Sequence, residues 1–276
     1  MDDKIVYEIR PQNRLSIGLG ELWQYRELLY FFTWRDVKVK YKHATLGIAW
    51  AVLQPFLLMV VFTFVFNKGL NIQPGDLPYP VFAFSGLLVW QVFSGGLTHA
   101  ANSILGNSKI IQKIYFPRLI IPLSAMLTAV VDFCFAMLVF VGLVLYYDVA
   151  VQPFQWIFFL TLSLLLTVFA ASGLSLFLSA WNVKYRDFQY VIPFFVQVLF
   201  FLSPVLYEPK QFEGSFFVTL LKANPMSGAI HLARAAFTDQ PVDWALVGVS
   251  SAVAFVLFVV GLFTFRKMEG YFADLA

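Results

Sequence analysis

Six long apolar runs, almost free of charge, most constrain what this chain can fold into. They cover residues 48–66, 81–97, 119–145, 154–180, 191–206 and 244–265. Asp132, in the third run, is the one charged residue in any of them. A helix of roughly 20 apolar residues crosses the hydrocarbon layer of a bilayer and satisfies its own backbone hydrogen bonds there. The runs therefore predict an all-α integral membrane protein with six transmembrane helices, the third and fourth longer than a straight crossing needs.

The composition agrees with a chain whose main solvent is lipid. Hydrophobic residues make up 60% of the 276 residues and charged residues only 13%, whereas soluble domains carry about 25% charged residues. The net charge of +3 is too small to argue for a nucleic-acid partner. A single cysteine, Cys134, excludes an internal disulfide framework. The polar start, MDDKIVYEIRPQNR, does not fit a cleavable signal peptide, so we expect insertion to use the runs themselves.

The distribution of Lys and Arg predicts the orientation, because insertion retains basic loops on the cytoplasmic side. With the N-terminus inside, the outside segments hold only four of the 19 basic residues: Lys68, Lys210, Lys222 and Arg234. The inside segments hold the other 15: Lys4, Arg10, Arg14, Arg26, Arg35, Lys38, Lys40, Lys42, Lys109, Lys113, Arg118, Lys184, Arg186, Arg266 and Lys267. We therefore expect both termini to be cytoplasmic.

The stretch ELWQYRELLYFFTW, before the first run, carries a helical pattern. Its apolar residues recur at spacings of three and four: Leu22, Tyr25, Leu29 and Phe32. The side chain of Gln24, the head of Arg26 and the side chain of Glu27 can face water. The pattern predicts an amphipathic helix in the cytoplasmic membrane interface. A plain membrane-anchoring helix is the alternative.

Four basic residues follow that stretch: Arg35, Lys38, Lys40 and Lys42. We interpret them as an inside anchor next to anionic lipid headgroups. The three lysines alternate with apolar residues, which taken alone is typical of a strand. The choice between helix and strand stays open here.

The inside segment GNSKIIQKIYFPR, residues 106–118, carries its own short helix signal. Asn107 or Ser108 can cap the helix, Lys109 and Lys113 share a face, and Pro117 ends it. A short, partly apolar helix outside the membrane is suited to docking in a groove of a partner. A surface turn lying on lipid headgroups is the alternative.

The outside segment 207–243 is too apolar for an ordinary loop. Its two short helical stretches, interrupted at Asn224 and Pro225, predict a re-entrant hairpin between the fifth and sixth spans. A soluble capping subdomain is the alternative.

Several kinds of chemistry have no support in the sequence. His43, His99 and His231 are far apart and have no ligand partners at metal spacing. The chain has no G-x-S-x-G and no G-x-x-x-x-G-K-[ST] motif, so we predict that it does not hold ATP in the manner of a P-loop. For Asp132 we expect a hydrogen bond inside the bundle, with Thr128 as a candidate donor.

Aromatic residues make up 18% of the chain and crowd the first and fifth runs. Phenylalanine facing lipid is ordinary, but flat apolar rings also stack on the C–H faces of sugars. The candidate residues for such a path are Trp50, Phe56, Phe62, Phe66, Phe194, Phe195 and Phe201.

Four stretches in order carry a resemblance to a known family: WRDVKVKYKHATLGIAWAVLQP, KIYFPRLIIP, NVKYRDFQYVIPFFVQVLFFLSPVLY and NPMSGAI. Together they resemble the permease subunit of ABC-2 polysaccharide exporters, the group that moves O-antigen, capsule and teichoic acid chains. The resemblance implies six spans in a bacterial inner membrane and a homodimer joined to two copies of a separate ABC ATPase. The permease would then be a transport subunit and not an enzyme, without a cofactor of its own, while the partner ATPase binds ATP and Mg.

The same resemblance assigns roles to residues. The amphipathic helix and a coupling helix around residues 109–115 would meet the ATPase, with 182–187 as a second contact. The predicted ATPase-coupling residues are Lys109, Ile110, Ile111, Lys113, Tyr115, Asn182, Arg186 and Asp187. The hairpin would correspond to the re-entrant gate helices of the family, and Arg35, Lys38, Lys40 and Lys42 would also attract the diphosphate of a lipid carrier.

The domain organisation that follows has three parts. Residues 1–47 form a cytoplasmic segment, 48–265 the six-span domain and 266–276 a cytoplasmic tail. We expect export of a lipid-linked polysaccharide. A permease for a drug or small lipid and a stand-alone ion-coupled carrier are the alternatives, and an integral membrane glycosyltransferase is disfavoured because Asp36 and Asp187 are isolated.

Overall fold

A computed structural model describes residues 19–42, 47, 49–69, 77–209, 216–235, 237 and 241–272, and all regular structure in these ranges is helical. Some predictions fall outside the described residues, namely those for Lys4, Arg10, Arg14, His43 and Lys210, as does the side chain of Lys68. The described part agrees with the all-α class that the apolar runs predict.

Five stretches in the described residues are long and apolar enough to cross a membrane, by length and composition. The first is α3, Ala49–Phe62, which continues as a π-helix over Thr63–Gly69. The others are α4, Tyr79–Gly106; α6, Ile120–Tyr146; α7, Pro153–Lys184; and α11, Trp244–Met268. They coincide with five of the six predicted runs. The 32 residues of α7 extend about 48 Å, which exceeds a hydrocarbon layer of about 30 Å, as expected from the sequence.

The fifth predicted run differs from the expectation of one continuous helix. The helix α8 covers Phe188–Phe201, only 14 residues or about 21 Å, and irregular chain follows to residue 209. Pro204 explains the early end, since its ring lacks an N–H donor and disfavours helical backbone in the residue before it. A sixth crossing stays a prediction, in which α8 and the irregular chain would cross together.

The core is built around α4, the most buried of the five long helices. It packs against α6 and α7, and more locally against α3, α8 and the short helix α10, Pro225–Ala235. A second apolar cluster lies where α4 ends and contains Phe32, Ile111, Phe116, Val183 and Phe265. The five residues come from four separate segments, because Ile111 and Phe116 share the loop after α4, so this cluster ties distant parts of the sequence together at one end of the bundle.

The helices α7 and α11 approach each other closely at two glycines. A Cβ on Gly261 would lie 1.9 Å from the carbonyl oxygen of Gly173, and a Cβ on Gly173 would lie 2.5 Å from the backbone of Phe258. The rings of Phe169 and Phe258 stack beside this contact, with centroids 4.5 Å apart. Small residues at such crossings allow dispersion and weak polar contacts between backbones, which drive helix association in lipid.

The N-terminal segment forms α1, Leu19–Gln24, and α2, Arg26–Lys42. The open choice at the alternating lysines is therefore resolved in favour of a helix. The hydroxyl of Thr33 donates to the carbonyl of Ser124, at 3.4 Å, and Lys40 pairs with Asp132. The later residue of α2 contacts the later residue of α6 in these two pairs, so the helices run parallel. Helix α2 therefore packs along the first turns of α6. The predicted apolar face points inward, since Phe32 is buried and Leu29 is partly buried. A position in a membrane interface stays a prediction.

The segment after α8 contains two short helices, α9, Phe216–Ala223, and α10, Pro225–Ala235, which meet at Asn224 where the sequence predicted the break. Most residues of α10 are buried, and it packs on α4, α7 and α11. That burial disagrees with a separate capping subdomain. Re-entrance into a membrane stays a prediction.

Candidate coupling and transport sites

The predicted inside segments converge on one end of the bundle. The ring of Phe32 on α2 meets the edge of Phe116, with centroids 5.6 Å apart. The guanidinium of Arg118 donates to the carbonyl oxygen of Glu269, and Arg266 pairs with the Glu269 carboxylate at 2.8 Å. Helix α2, the loop before α6 and the C-terminal end of α11 thus form one assembled face.

The loop between α4 and α6 has buried anchors and exposed residues between them. The helix α5 covers only Ser108–Ile111. Ile111 and Phe116 are buried in the end cluster, whereas Lys109 and Lys113 are exposed and Tyr115 is 77% exposed. The two anchors fix the loop to the bundle between α4 and α6.

The start of this loop is held differently from the prediction. Asn107 is the residue before α5, but its side chain makes no capping hydrogen bond, which corrects the expected cap. Its amide nitrogen donates to the carbonyl of Ser103 at 2.8 Å, and its amide oxygen accepts from Arg35 at 2.8 Å. Arg35 therefore links α2 to the loop.

A groove of about 910 Å³ lies between the N-terminal helices and this loop. Its walls are residues 24–28, 30 and 31 on one side and residues 114–116 on the other. Tyr30, Phe31 and Ile114 are each more than half exposed there. The two segments that sequence analysis assigned to an ATPase partner thus share one largely apolar groove.

The second predicted contact, residues 182–187, divides into a buried and an exposed part. Asn182 is fully buried, and its amide donates to the carbonyl of Ala101 at 3.0 Å and to the side chain of Asn102 at 2.9 Å. Asn182 therefore holds α7 to α4 and does not present a surface to a partner, which corrects its predicted role. Arg186 and Asp187 are exposed.

The four basic residues after the N-terminal stretch do not all face one place. Arg35 pairs with Asp36 at 2.8 Å, Lys40 pairs with Asp132, and the ammonium of Lys38 lies 5.2 Å from the ring centre of Trp34. Lys42 is exposed. Two of the four charges are therefore balanced by carboxylates of the chain itself.

A second groove, of about 680 Å³, lies between α2 and the end of α4. Arg35, Lys40 and Lys109 are its basic residues, and His99 and Asn102 are among its other polar residues. Lys109 belongs to the predicted coupling loop, whereas Lys38 and Lys42 do not line this groove. The sequence predicted separate sites for Lys40 and Lys109, because it does not show how α2 packs against α4.

Asp132 has partners on another helix. Both Lys40 and the hydroxyl of Tyr41 donate to its carboxylate, whereas Thr128 donates to the carbonyl of Ser124 at 3.2 Å. The expectation of Thr128 as the donor was wrong, because the parallel packing of α2 brings Lys40 and Tyr41 to the level of Asp132 along α6. Burial, and then the bond to Asp132, raises the pKa of the Tyr41 hydroxyl above its usual range, so the group remains a donor.

The predicted aromatic path is brought together in part. The rings of Phe62 on α3 and Phe200 on α8 lie 6.0 Å apart, and Trp90 on α4 lies 5.4 Å from Phe200. Trp50 lies 12 residues before Phe62, about 18 Å away along the helix axis. Phe62 and Phe66 are neighbours at 6.0 Å. The remaining candidates differ in exposure: Phe56 and Phe195 are partly buried, and Phe194 and Phe201 are more than 60% exposed.

Sequence reasoning missed Trp90 and Phe200 as members of this cluster. Phe200 was one of many phenylalanines in its run, and Trp90 lies in a different run. These two residues are distinguished by their contacts with other helices. The periodicity of a single run gives no information about such contacts.

These features define a multi-pass helical membrane protein with an assembled face at one end and an aromatic cluster between three of its helices. The sequence pattern of the family described as ABC-2 type transporter matches residues 27–238, and the chain belongs to that family. The family predicted from the four ordered stretches is thereby confirmed.

The chain is also similar to individual permeases over most of its length. It is 28% identical over 262 residues to the O-antigen export system permease protein RfbA of Klebsiella pneumoniae, covering 95% of this chain and 98% of that protein. The protein of the same name from Myxococcus xanthus is 28% identical over 261 residues, covering 92% and 97%. The polysialic acid transport protein KpsM of Escherichia coli is 22% identical over 239 residues, covering 85% and 91%.

Proposed function

We propose that this chain is the membrane-spanning subunit of an ATP-driven exporter that moves a lipid-linked, O-antigen-like polysaccharide across the bacterial inner membrane. Two copies of the chain form the path, and two copies of an ABC ATPase drive it from the cytoplasm. Similarity to O-antigen and polysialic acid permeases supports the substrate class. The assembled face, with its anchored loop beside an apolar groove, is the observation that carries the proposal.

The groove between the N-terminal helices and residues 114–116 is the docking place for the ATPase. An apolar groove takes up an apolar face of a partner helix, and the exposed lysines of the loop beside it pair with acidic groups. Lys109, Lys113 and Tyr115 meet the partner, while Ile111 and Phe116 transmit its movement into α4 and α6. Both termini lie on this cytoplasmic side.

The docking proposal is tested with the chain co-expressed with the ABC ATPase encoded beside it. Tyr115→Ala combined with Lys109→Gln and Lys113→Gln is expected to lower the ATPase activity of the purified complex at least tenfold, because exposed aromatic and basic groups dominate interfaces. Tyr146→Ala is the matched control, since Tyr146 is 80% exposed and lies at the C-terminal end of α6, away from the loop.

The apparent melting temperature of the permease alone separates docking from folding. We expect it to be unchanged in the loop variant, because the three side chains are exposed. Wild-type ATPase activity and co-purification in the loop variant would refute the docking site. A permease that never recovers an ATPase partner would refute the ATP-driven exporter as a whole.

The aromatic cluster between α3, α4 and α8 is part of the sugar path. Its rings, supplied by Phe62, Trp90 and Phe200, present flat apolar faces that hold a glycan without strong hydrogen bonds to break. The exposed ring of Phe194 belongs to the same path in the dimer, where the second copy covers the apolar faces of α3 and α8.

Alanine substitution tests the sugar path. Phe62→Ala and Phe194→Ala are each expected to lower polymer export several-fold, because the polymer slides along these rings. Phe263→Ala on α11 is the control, since that ring is 55% exposed and distant in sequence from the cluster. Unchanged export by both path variants, in protein that folds and dimerises, would mean that the rings merely face lipid.

The groove lined by Arg35, Lys40 and Lys109 receives the diphosphate of the lipid carrier. Arg35, Lys40 and Lys109 surround one concave surface, and an incoming diphosphate competes there with Asp36, which also lines the groove and pairs with Arg35, and with Asp132, which pairs with Lys40. Lys38 and Lys42, which lie outside the groove, contribute to the surrounding attraction of anionic lipid.

A further inference from the structure

The chain between α8 and residue 209 is irregular and yet buried. Ser203, Val205 and Leu206 are each at most 6% exposed, and Pro204 is buried as well. Non-helical backbone at membrane depth is tolerated only where the surrounding protein satisfies its polar groups. The donors that reach this segment therefore indicate how it is held.

Side chains from three other elements satisfy this backbone. Arg234 on α10 donates to two successive carbonyls, those of Pro204 at 2.8 Å and Val205 at 2.6 Å. Asn224, at the break between α9 and α10, donates to the carbonyl of Leu202 at 2.9 Å, and Tyr79 on α4 donates to that of Leu206 at 3.2 Å.

The remaining carbonyls of the stretch have local donors. The amide of Val205 donates to Ser203 at 2.7 Å, and the hydroxyl of Tyr207 donates to Phe201 at 3.0 Å. Six consecutive carbonyls, from Phe201 to Leu206, therefore each accept a hydrogen bond outside any helix ladder.

Helix α4 has a glycine, Gly86, at the point where the 202–206 segment packs against it. A Cβ on Gly86 would lie 2.8 Å from the carbonyl oxygen of Val205 and 3.1 Å from Nη2 of Arg234. The guanidinium of Arg234 also lies 3.5 Å from the ring centre of Phe82. Arg234 thus sits between α4 and the segment, with its charge directed at the ring and at two carbonyl oxygens.

The helix that leads into this segment is held much less firmly. Of the 14 residues of α8, only Ile192 is buried, and Tyr190, Phe194 and Phe201 are each more than 60% exposed. At its other end, α8 begins after an exposed turn at Arg186 and Asp187. Within one copy of the chain few contacts resist a movement of α8, and its outer end joins the fixed segment, so α8 can turn about that end.

We propose that Arg234 is a positioning residue that fixes the unwound 202–206 segment, which serves as the stationary outer pivot about which α8 swings during transport. The swing rests on the proposed function, since α8 carries the rings of the sugar path. The fixation of the segment does not rest on it. The hydrogen bonds at Arg234 prevent the broken backbone from opening, so the outer end of α8 keeps its position while its inner end follows the ATPase.

Labelling of a buried cysteine tests the fixation. Val205→Cys in a Cys134→Ala background is expected to be protected from a membrane-impermeant maleimide, because Val205 is fully buried. Adding Arg234→Met is expected to raise its labelling rate about tenfold or more, since local opening exposes the segment. Gln152→Cys, in an exposed loop, gives the rate of an unprotected site. An unchanged rate in folded Arg234→Met protein would overturn the proposal.

A second variant disturbs the packing of the same segment and retains Arg234. Gly86→Ala places a methyl group against the carbonyl of Val205 and is also expected to raise the labelling rate of Val205→Cys. Gly95→Ala on the same helix is the control, because nothing lies within 4 Å of its Cβ position. Should Arg234→Met fail to fold, equal labelling of the Gly86 and Gly95 variants would still overturn the fixed segment.

Spin-label distances in the complex with the ATPase test the swing. An inner pair at Gln189 and Gly106 is expected to change its distance by several ångströms between nucleotide-free and ATP-bound states. An outer pair at Pro209 and Gln152 is expected to keep its distance. An outer pair that moves, or an inner pair that does not, would overturn the pivot. If no ATPase complex forms, the proposed function fails, and the labelling of Val205→Cys still decides the fixation.

Discussion

Lys40 and Asp132 form an ion pair that joins α2 to α6, and Tyr41 adds a second donor to the same carboxylate. Asp132 lies 12 residues into α6, about 18 Å from its start, where an unpaired charge would be costly. The lysine side chain is 35% exposed, so solvent screens part of the attraction. At the scale of single residues, this pair fixes how α2, the helix proposed to meet the ATPase, is held to the bundle.

Asp132→Asn is therefore expected to lower the stability of the purified chain by about 1 kcal/mol, because the ammonium of Lys40 loses its counter-ion while the amide still accepts from Tyr41. The apparent melting temperature would fall by about 2–4 °C. Asp148→Asn is the control, since Asp148 is exposed and has a φ of 49°, which asparagine also tolerates. A double-mutant cycle with Lys40→Gln measures the pair, and strictly additive effects would contradict the coupling.

The partners of Asp132 mark the limit of what the sequence predicts for single residues. An acidic residue in an apolar run signals that a partner exists, and the sequence therefore identified the position. The identity of the partner depends on the height at which α2 lies along α6, which no local pattern encodes. Asn182 shows the same limit, because a polar residue in a basic loop gives no sign that it is buried against Asn102.

Helix packing in this chain depends on small residues at the contact between α7 and α11. Gly261→Ala would place a methyl carbon 1.9 Å from the carbonyl oxygen of Gly173, so the two helices must separate. We expect a loss of about 1–3 kcal/mol, as for other overpacked contacts. The measurement is the apparent melting temperature in detergent.

Gly248→Ala on α11 is the matched control for that substitution, because nothing lies within 4 Å of its Cβ position. It is expected to be neutral or to stabilise the helix by up to ~1 kcal/mol, since alanine has the higher helix propensity. Equal effects of the two substitutions would mean that helix propensity, and not the crossing, decides the stability.

At the scale of elements, the length of an apolar run decides how well the sequence predicts the structure. The runs at 119–145 and 154–180 correspond to α6 and α7 within a few residues, because nothing but a helix satisfies so long a stretch of backbone in lipid. The run at 191–206 is broken at Leu202, where Pro204 disfavours the helix and Asn224, Arg234 and Tyr79 supply the hydrogen bonds that a helix would have supplied. Those donors are distant in sequence, so hydropathy alone does not reveal the break.

For the whole molecule, the number of crossings depends on the broken run. The carbonyl of Leu206 reaches Tyr79, the first residue of α4, and Asn182 near the end of α7 reaches Asn102 near the other end of α4. Asn102 follows Tyr79 by 23 residues, about 35 Å along the helix axis. The chain from residue 182 to residue 206 therefore runs almost the full length of α4, although only 14 of its residues after α7 are helical.

Reporter fusions test whether this composite stretch crosses the membrane. A reporter that is active only outside the cytoplasm is expected to be inactive when inserted after Arg186 and active when inserted after Pro209. Insertion after Gln152 is the outside control, and insertion after Lys113 is the inside control, because the basic residues concentrate on that side. The reason for the expectation is that the donors from α4 and α10 remove the cost of non-helical backbone in the outer half of the crossing. The same activity after Arg186 and after Pro209 would place both on one side of the membrane. The chain would then cross the membrane only five times. The N-terminal helices and the C-terminal end of α11 would lie on opposite sides of it.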